Sequence, residues 1–182
     1  MHRELGGIAQ HALLLGDRTA PVTIIEYADL DCASCSTVHR TVLPRVIARF
    51  VRSGEASLEL RPLAVRPRSR AFARGAYAAS TQRQGWDFVE LAYARNNAGE
   101  APAGLAHALG LDVRRWRADL GRPAWTPLIR AALSVARVAH FPGYPVFLVR
   151  RRGSSGPFTV LTAPRSADAF AIAIAKALRS PA

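Results

Sequence analysis

Cysteine is scarce in this chain. It has 2 among 182 residues, which excludes a small scaffold held together by several disulfides. Lysine is scarcer: of the 25 basic residues only Lys176 is a lysine, and the rest are arginines. Long apolar runs are also missing. None approaches the roughly 20 residues that cross a bilayer, so stable membrane insertion is not expected of this chain. The stretch MHRELGGIAQHALLLG at the start makes a poor export signal, because its apolar core of about five residues falls short of the roughly 7–15 required. Internal repeats, low-complexity linkers and the aromatic-rich, arginine-interleaved sheet motif of RNA-binding modules are absent as well. The formal net charge of +12 would by itself suit nucleic acid or an anionic surface. The arginines, however, are scattered, in the manner of a coding bias, and nucleic acid is not expected as a partner. Arg150-Arg151-Arg152 reads as the polar end of a strand before the turn at 153–156.

Apolar residues make up 49% of the chain, enough for a sizeable core in one compact domain with an insertion. PVTIIEYA, residues 21–28, is short, β-branched and bounded by turn residues, as a buried strand is. From Cys35 to Phe50 apolar residues recur at three- and four-residue steps, so a helix is expected from Cys32 or Ala33 onward. Pro44 should kink it, and Gly54 is placed to cap its end. SLELRPL, residues 57–63, reads as a second strand, parallel to the first in a βαβ unit. Residues 66 to about 140 are rich in Ala and Arg and read as helices over 67–83, 85–96, 102–109, 112–120 and 125–139, punctuated by glycines. Trp86, Phe88, Leu91, Leu105, Leu109, Trp116, Leu120 and Leu128 are expected to form a second small core. YPVFLVR (144–150) and FTVLTA (158–163) suggest an antiparallel hairpin. A final helix begins after Ser166, with Asp168 in its first turn. The order is βαβ, a helical block, then ββα.

The two cysteines form one C-x-x-C, Cys32-Ala33-Ser34-Cys35. The helix start at Cys32 favours an anion, so its thiol should ionise readily. Cys35 lies one turn on, facing inward and within bridging distance. A disulfide between them would open at the more exposed Cys32 sulfur. C-x-x-C following a strand and opening a helix is the setting of a redox pair. A zinc site would need roughly four ligands. Only His39 lies close, His107 and His140 are remote in sequence, and there is no second C-x-x-C. His39 reads as a helix-surface or packing residue. Glu26 stands out among Ile24, Ile25 and Tyr27, since a carboxylate in an apolar strand is costly without a task or a partner.

Three segments together resemble the DsbA-like branch of the thioredoxin superfamily: APVTIIEYADLDCASC with the helix through VLPRVIARFV, QRQGWDFVELAY in the helical block, and GYPVFLV near the end. The resemblance implies an α/β thioredoxin fold, βαβ and ββα, with 1–65 and 140–182 forming the thioredoxin-like domain and 66–139 an inserted helical domain. It implies exchange of disulfides with cysteine-containing protein substrates, a redox partner that recycles the disulfide, and no cofactor beyond the Cys32–Cys35 pair. Catalytic roles fall on Cys32 as the exposed nucleophile, Cys35 as the resolving thiol, and Glu26 in proton transfer at Cys35. Pro145 matches the family's cis-proline, and Tyr144 before it would present a backbone edge to an extended substrate. Ala33 and Ser34 complete the substrate-facing surface.

The chain departs from the family's pattern in several places. Ala33-Ser34 replaces the usual Pro-His or Pro-Tyr and lacks a positive charge, although the Ser34 hydroxyl or N–H can donate a hydrogen bond. Tyr144 stands where Thr or Val is common, and its bulk narrows the groove. Leu30-Asp31 replaces an aromatic–polar pair, and Asp31 should slightly oppose ionisation of Cys32. The oxidase direction is favoured. Two other readings compete: a non-catalytic binding protein on the same fold, and a metal carrier using Cys32, Cys35 and His39. For Glu26 the competing reading is a strand-edge residue paired with an arginine. An extracytoplasmic location with a removed leader suits a chain with no stray thiol, a cytoplasmic one being the alternative, and a monomer is the simplest state.

Overall fold

Alternation along the first long strand decides how the layers stack. In β3 (Val22–Ala28), Val22, Ile24 and Ala28 belong to the main core, whereas Ile25 and Tyr27 belong to a smaller cluster. Successive side chains in a strand point to opposite faces, so the two clusters lie on opposite sides of one sheet, and Glu26 points to the side of the main core. The computed structural model describes residues 5–95 and 99–180. Its sheet has six strands in the order β1-β2-β4-β3-β5-β6: β1 (Gln10–His11), β2 (Leu14–Leu15), β3, β4 (Ala56–Pro62), β5 (Val146–Arg151) and β6 (Thr159–Thr162). β3 pairs parallel with β4 and antiparallel with β5, so Glu26 stands between Leu60 and Phe147.

The connection between β3 and β4 carries α1 (Ala33–Thr41) and α2 (Leu43–Val46), followed by a wider, π-type turn over Ile47–Val51. One helix was expected here. Pro44 has no N–H to give to the preceding turn, and the chain breaks at Val42, leaving Pro44 in the first turn of α2. Between β4 and β5 lie α3 (Pro67–Ser80), α4 (Gly85–Ala94), α5 (Pro102–Ala108), α6 (Val113–Asp119) and α7 (Trp125–Val138), and α8 (Ala167–Arg179) follows β6. These match the expected helices to within a few residues at each end, apart from residue 96, which lies outside the described residues.

Two expectations are corrected, and one element was not anticipated. The N-terminal segment forms a hairpin of two-residue strands that pairs through Leu14 and Leu15 with β4. The helical block has no core of its own. Trp86, Phe88, Leu105, Leu109 and Trp116 belong to the same cluster as Val22, Ile24 and Phe147, because α4 packs directly against α1. Leu128, placed in that second core from its spacing, is 47% exposed. The far face of the sheet is covered by α7, whose Ala132 and Ala136 join Ile25, Tyr27 and Leu63.

Arginines hold much of this together. Arg152 donates to the Ala20 carbonyl at 2.7 Å and to Ser57 Oγ at 3.1 Å, and Arg151 donates to the Leu178 carbonyl at 2.8 Å. Arg150 lies over the Phe158 ring at 4.1 Å. The triplet is thus committed to strand and helix ends within the chain.

Close approach of α3, α4 and α6 depends on Gly75. A Cβ there would sit 2.7 Å from Phe88 Cζ and 3.2 Å from Trp116 Cζ2. The Gly75 carbonyl also accepts the Trp116 indole N–H at 2.9 Å. Both rings are buried and cannot swing aside. Gly75→Val should therefore lower the unfolding free energy by about 1–3 kcal/mol. Urea unfolding checks this, and an unchanged midpoint would show that the three helices have slack between them.

Candidate active site

α1 starts where β3 ends. Cys32 occupies the position before the first helical residue, with φ −107° and ψ 126°, and no side chain caps the helix there. The Asp29 carbonyl takes the Cys32 N–H at 3.1 Å, and the Cys32 carbonyl takes the Ser36 N–H at 3.0 Å. The backbone N–H groups of Ser34 and Cys35 reach the Cys32 sulfur, which is the electrostatic setting of an anion site. Both thiols are free, Cys32 half-buried and Cys35 buried. The Cys32 thiol is lowered from 9.0 to about 5, chiefly by the hydrogen bond from Cys35, with Ser34 and the backbone N–H groups of Cys35 and Ser34 adding to it against partial burial. Cys35 is pushed the other way, well above 9.0, by its hydrogen bond to Cys32, by burial, and by the charges of Cys32 and Glu26. The outer sulfur is thus acidic and the inner one holds its proton.

Ser34 bridges the cysteines to the opposite wall. Its Oγ lies 3.0 Å from Cys32 Sγ and donates to the Tyr144 carbonyl at 2.8 Å. The Tyr144–Pro145 peptide bond is cis, and the Pro145 carbonyl accepts the Ala163 N–H at 2.8 Å. Ala33 and Ser34 are exposed beside this loop, Tyr144 is half-buried and Pro145 buried. The structure therefore brings Cys32, Cys35, Ala33, Ser34, Tyr144 and Pro145 to one rim.

Glu26 lies beneath them, fully buried. It is not an edge residue, and among the described residues no arginine pairs with it. Its carboxylate oxygens lie 2.9 and 3.1 Å from His39 Nε2. His39 Nδ1 lies 2.9 Å from Glu90 Oε1 on α4. The imidazole is 1% exposed and stacks near Tyr93 and Trp86, at centroid distances of 4.0 and 6.2 Å. His39 is thus a core residue between two carboxylates, away from the helix surface. With both ring nitrogens committed to Glu26 and Glu90, it does not join the two sulfurs as a metal ligand. No cluster of three or more His, Cys, Asp or Glu side chains suited to a metal occurs among the described residues.

Other groups around the rim escaped the sequence reading. The Asp29 carboxylate, 2% exposed, accepts the Ser69 hydroxyl at 2.7 Å and the Asp31 N–H at 2.8 Å. Asp31 was expected to oppose ionisation of Cys32. Instead it is paired with Arg68 at 2.8 Å and with Arg66 at 3.7 Å, which offsets its charge. A signal for Glu26–His39 was present: four residues separate Cys35 from His39, so both lie on the inward face of α1, the face β3 turns toward Glu26. Nothing in the sequence pointed to Glu90, which reaches the site only through the packing of α4 on α1.

The family model described as Thioredoxin matches residues 9–162, and the chain belongs to that family. Its fold is that of the DsbA proteins. It is similar to alpha-DsbA1 from Wolbachia pipientis, with a TM-score of 0.79 and 17% identity over 94% of this chain and 91% of that one. It is also similar to DsbA2 from Pseudomonas aeruginosa, with a TM-score of 0.69 and 23% identity over 94% of each chain. In sequence it is 31% identical over 150 residues to the Na(+)/H(+) antiporter NhaA of Herminiimonas arsenicoxydans, covering 81% of this chain and 24% of that protein. The chain thus spans about a quarter of the length of the curated relatives it matches. Among the described residues no helix is long and apolar enough to cross a membrane.

The buried histidine generates a pH dependence. Burial works against the His39 cation, but the charges and hydrogen bonds of Glu26 and Glu90 prevail and push it from 6.5 up to about 9. Folding therefore favours the protonated form. Its contribution to stability is complete below pH 6.5 and is lost as pH rises through about 9. In a Cys32→Ser background, which removes the titration of that thiol, the unfolding free energy should fall across this window, and adding His39→Gln should flatten the slope. An equal slope with and without His39 would place the titrating group elsewhere.

Proposed function

We propose that this chain is a thiol–disulfide oxidoreductase that donates a Cys32–Cys35 disulfide to cysteine-containing protein substrates. The observation that carries this reading is the asymmetry of the pair: an accessible, acidified Cys32 at a helix start and a buried Cys35 that holds its proton, one turn apart. Family membership and the similarity to DsbA structures support it.

The exchange runs in two displacements. A substrate thiolate attacks Cys32 Sγ, the Cys32–Cys35 bond breaks, and its electron pair leaves on Cys35, which takes up a proton. A mixed disulfide now joins Cys32 to the substrate. A second substrate thiolate attacks the substrate sulfur of that bond and expels Cys32 as a thiolate. The substrate has lost two electrons and the enzyme holds them as a dithiol. A redox partner then removes them. The low value at Cys32 favours the oxidase direction, because it stabilises the reduced enzyme and makes Cys32 a good leaving group.

Glu26 assists proton movement at Cys35, on which its charge acts. His39 holds both Glu26 oxygens in place. Tyr144 and Pro145, with Ala33 and Ser34, form the rim along which an extended substrate lies, pairing through its backbone as a strand adds to an edge. The chemistry needs no cofactor beyond the two cysteines. An extracytoplasmic setting fits the reading, since disulfides persist there.

Cys35→Ser provides the test. It removes the resolving thiol, so a peptide with one activated disulfide should remain attached to Cys32 and be visible by intact mass. Cys32→Ser should capture nothing. Capture by neither variant, or equal capture by both, would overturn the assignment of Cys32 as the attacking sulfur.

A further inference from the structure

Ser34 offers one hydroxyl proton to two acceptors. Its Oγ lies 2.8 Å from the Tyr144 carbonyl and 3.0 Å from Cys32 Sγ. In this geometry the proton is given to Tyr144, which leaves a lone pair of Oγ toward the sulfur. That suits a Cys32 thiol, whose S–H donates to Ser34. It does not suit a thiolate, which can only accept. When Cys32 loses its proton, two electron-rich atoms would face each other at hydrogen-bond distance. Rotation of the hydroxyl about its C–O bond removes the conflict by turning the proton onto the sulfur, and the Tyr144 carbonyl is released.

That carbonyl belongs to the rim along which the proposed function lays an extended substrate. We propose that Ser34 passes a single proton between Cys32 and the Tyr144 carbonyl, and so couples docking of a substrate backbone at Tyr144 to ionisation of Cys32. The inference rests on the oxidoreductase reading of this rim and extends it to the order of events. A substrate N–H that takes over the Tyr144 carbonyl frees the Ser34 proton for the sulfur. In the mixed disulfide it is then ready when Cys32 must leave as a thiolate. Once product departs and the Cys32–Cys35 disulfide is restored, the sulfur carries no charge, and the hydroxyl returns to Tyr144 and closes the edge. The coupling is reciprocal: whatever docking adds to ionisation, ionisation adds to docking.

Ser34 is a positioning residue in this scheme, since it acts through Cys32 and Tyr144. The other charged or titratable groups of the flanking segments are Asp29 and Asp31 before α1, Arg66 and Arg68 at the start of α3, Cys35 on α1, and Glu26 beneath it. None of them is removed by a change at Ser34, so its effect can be read separately.

The experiment follows the carbonyl-carbon NMR shift of Tyr144 in the reduced, isotope-labelled protein as pH is raised, with the ultraviolet absorbance of the Cys32 thiolate recorded on the same samples. In the wild type both signals should move with one midpoint. Ser34→Thr keeps the hydroxyl and should keep the paired transition. Ser34→Ala should leave the Tyr144 carbonyl without an inflection and raise the Cys32 midpoint by about half to one unit, the size of one net hydrogen bond. A wild-type carbonyl that stays flat while Cys32 ionises would overturn the proposal, as would a transition of equal size in Ser34→Ala. Both results leave the oxidoreductase reading intact. That reading fails separately if the wild-type Cys32 shows no thiolate below the ordinary cysteine range.

Discussion

The contact on which the site depends is the buried one between Glu26 and His39. A carboxylate in the middle of a central strand, between Leu60 and Phe147, would be costly on its own. His39 offsets that cost, and the carboxylates in turn offset the cost of burying an imidazolium. Because Glu26 belongs to β3, His39 to α1 and Glu90 to α4, this one cluster fixes three elements relative to one another. The start of α1 is held over the end of β3, and Cys32 and Cys35 acquire their different surroundings as a result. The same cluster joins the helical block to the sheet, so the two share a core.

Around this centre the polar atoms of the rim are closely accounted for. Asp29 organises the turn before α1 through Ser69 and the Asp31 N–H. Asp31 is tied to α3 by Arg68. Ser34 reaches across to Tyr144. Several of the arginines that give the chain its high charge serve the fold: Arg151 and Arg152 donate to carbonyls at helix and strand ends, and Arg66 and Arg68 pair with Asp31 near the site. That part of the charge has a use within the fold.

The parts of this arrangement that were legible in the sequence are those written in local pattern. A β-branched run marked β3, apolar–polar alternation marked β4, three- and four-residue spacing marked the helices, and C-x-x-C after a strand placed Cys32 at a helix start with Cys35 one turn on. Pro145 was found through a family resemblance, and periodicity alone would have left it as a rigid strand start. What was not legible depends on long-range packing or on very short elements. Strands of two residues at Gln10–His11 and Leu14–Leu15 are too brief to show alternation. His39 shows its meaning only when β3 and α4 are placed on either side of it. Ser34 and Tyr144 are 110 residues apart and meet only in the folded chain. The helical block looked self-contained because its apolar residues are regularly spaced, yet their partners lie on the sheet layer. Leu128 was misplaced because its spacing fitted a stripe whose neighbours face inward while it faces solvent.

The central claim is that Cys32 and Cys35 form a reversible two-electron couple poised toward oxidation. The most direct measurement equilibrates the protein in glutathione buffers of graded potential, traps free thiols by alkylation and counts them by mass. The account expects both thiols to disappear together, with a midpoint much closer to about −120 mV, where strong disulfide donors lie, than to about −270 mV, where thioredoxin-like reductants lie. Thiols that never pair at any potential would contradict it outright, and a midpoint at the reducing end would keep the couple and reverse its direction.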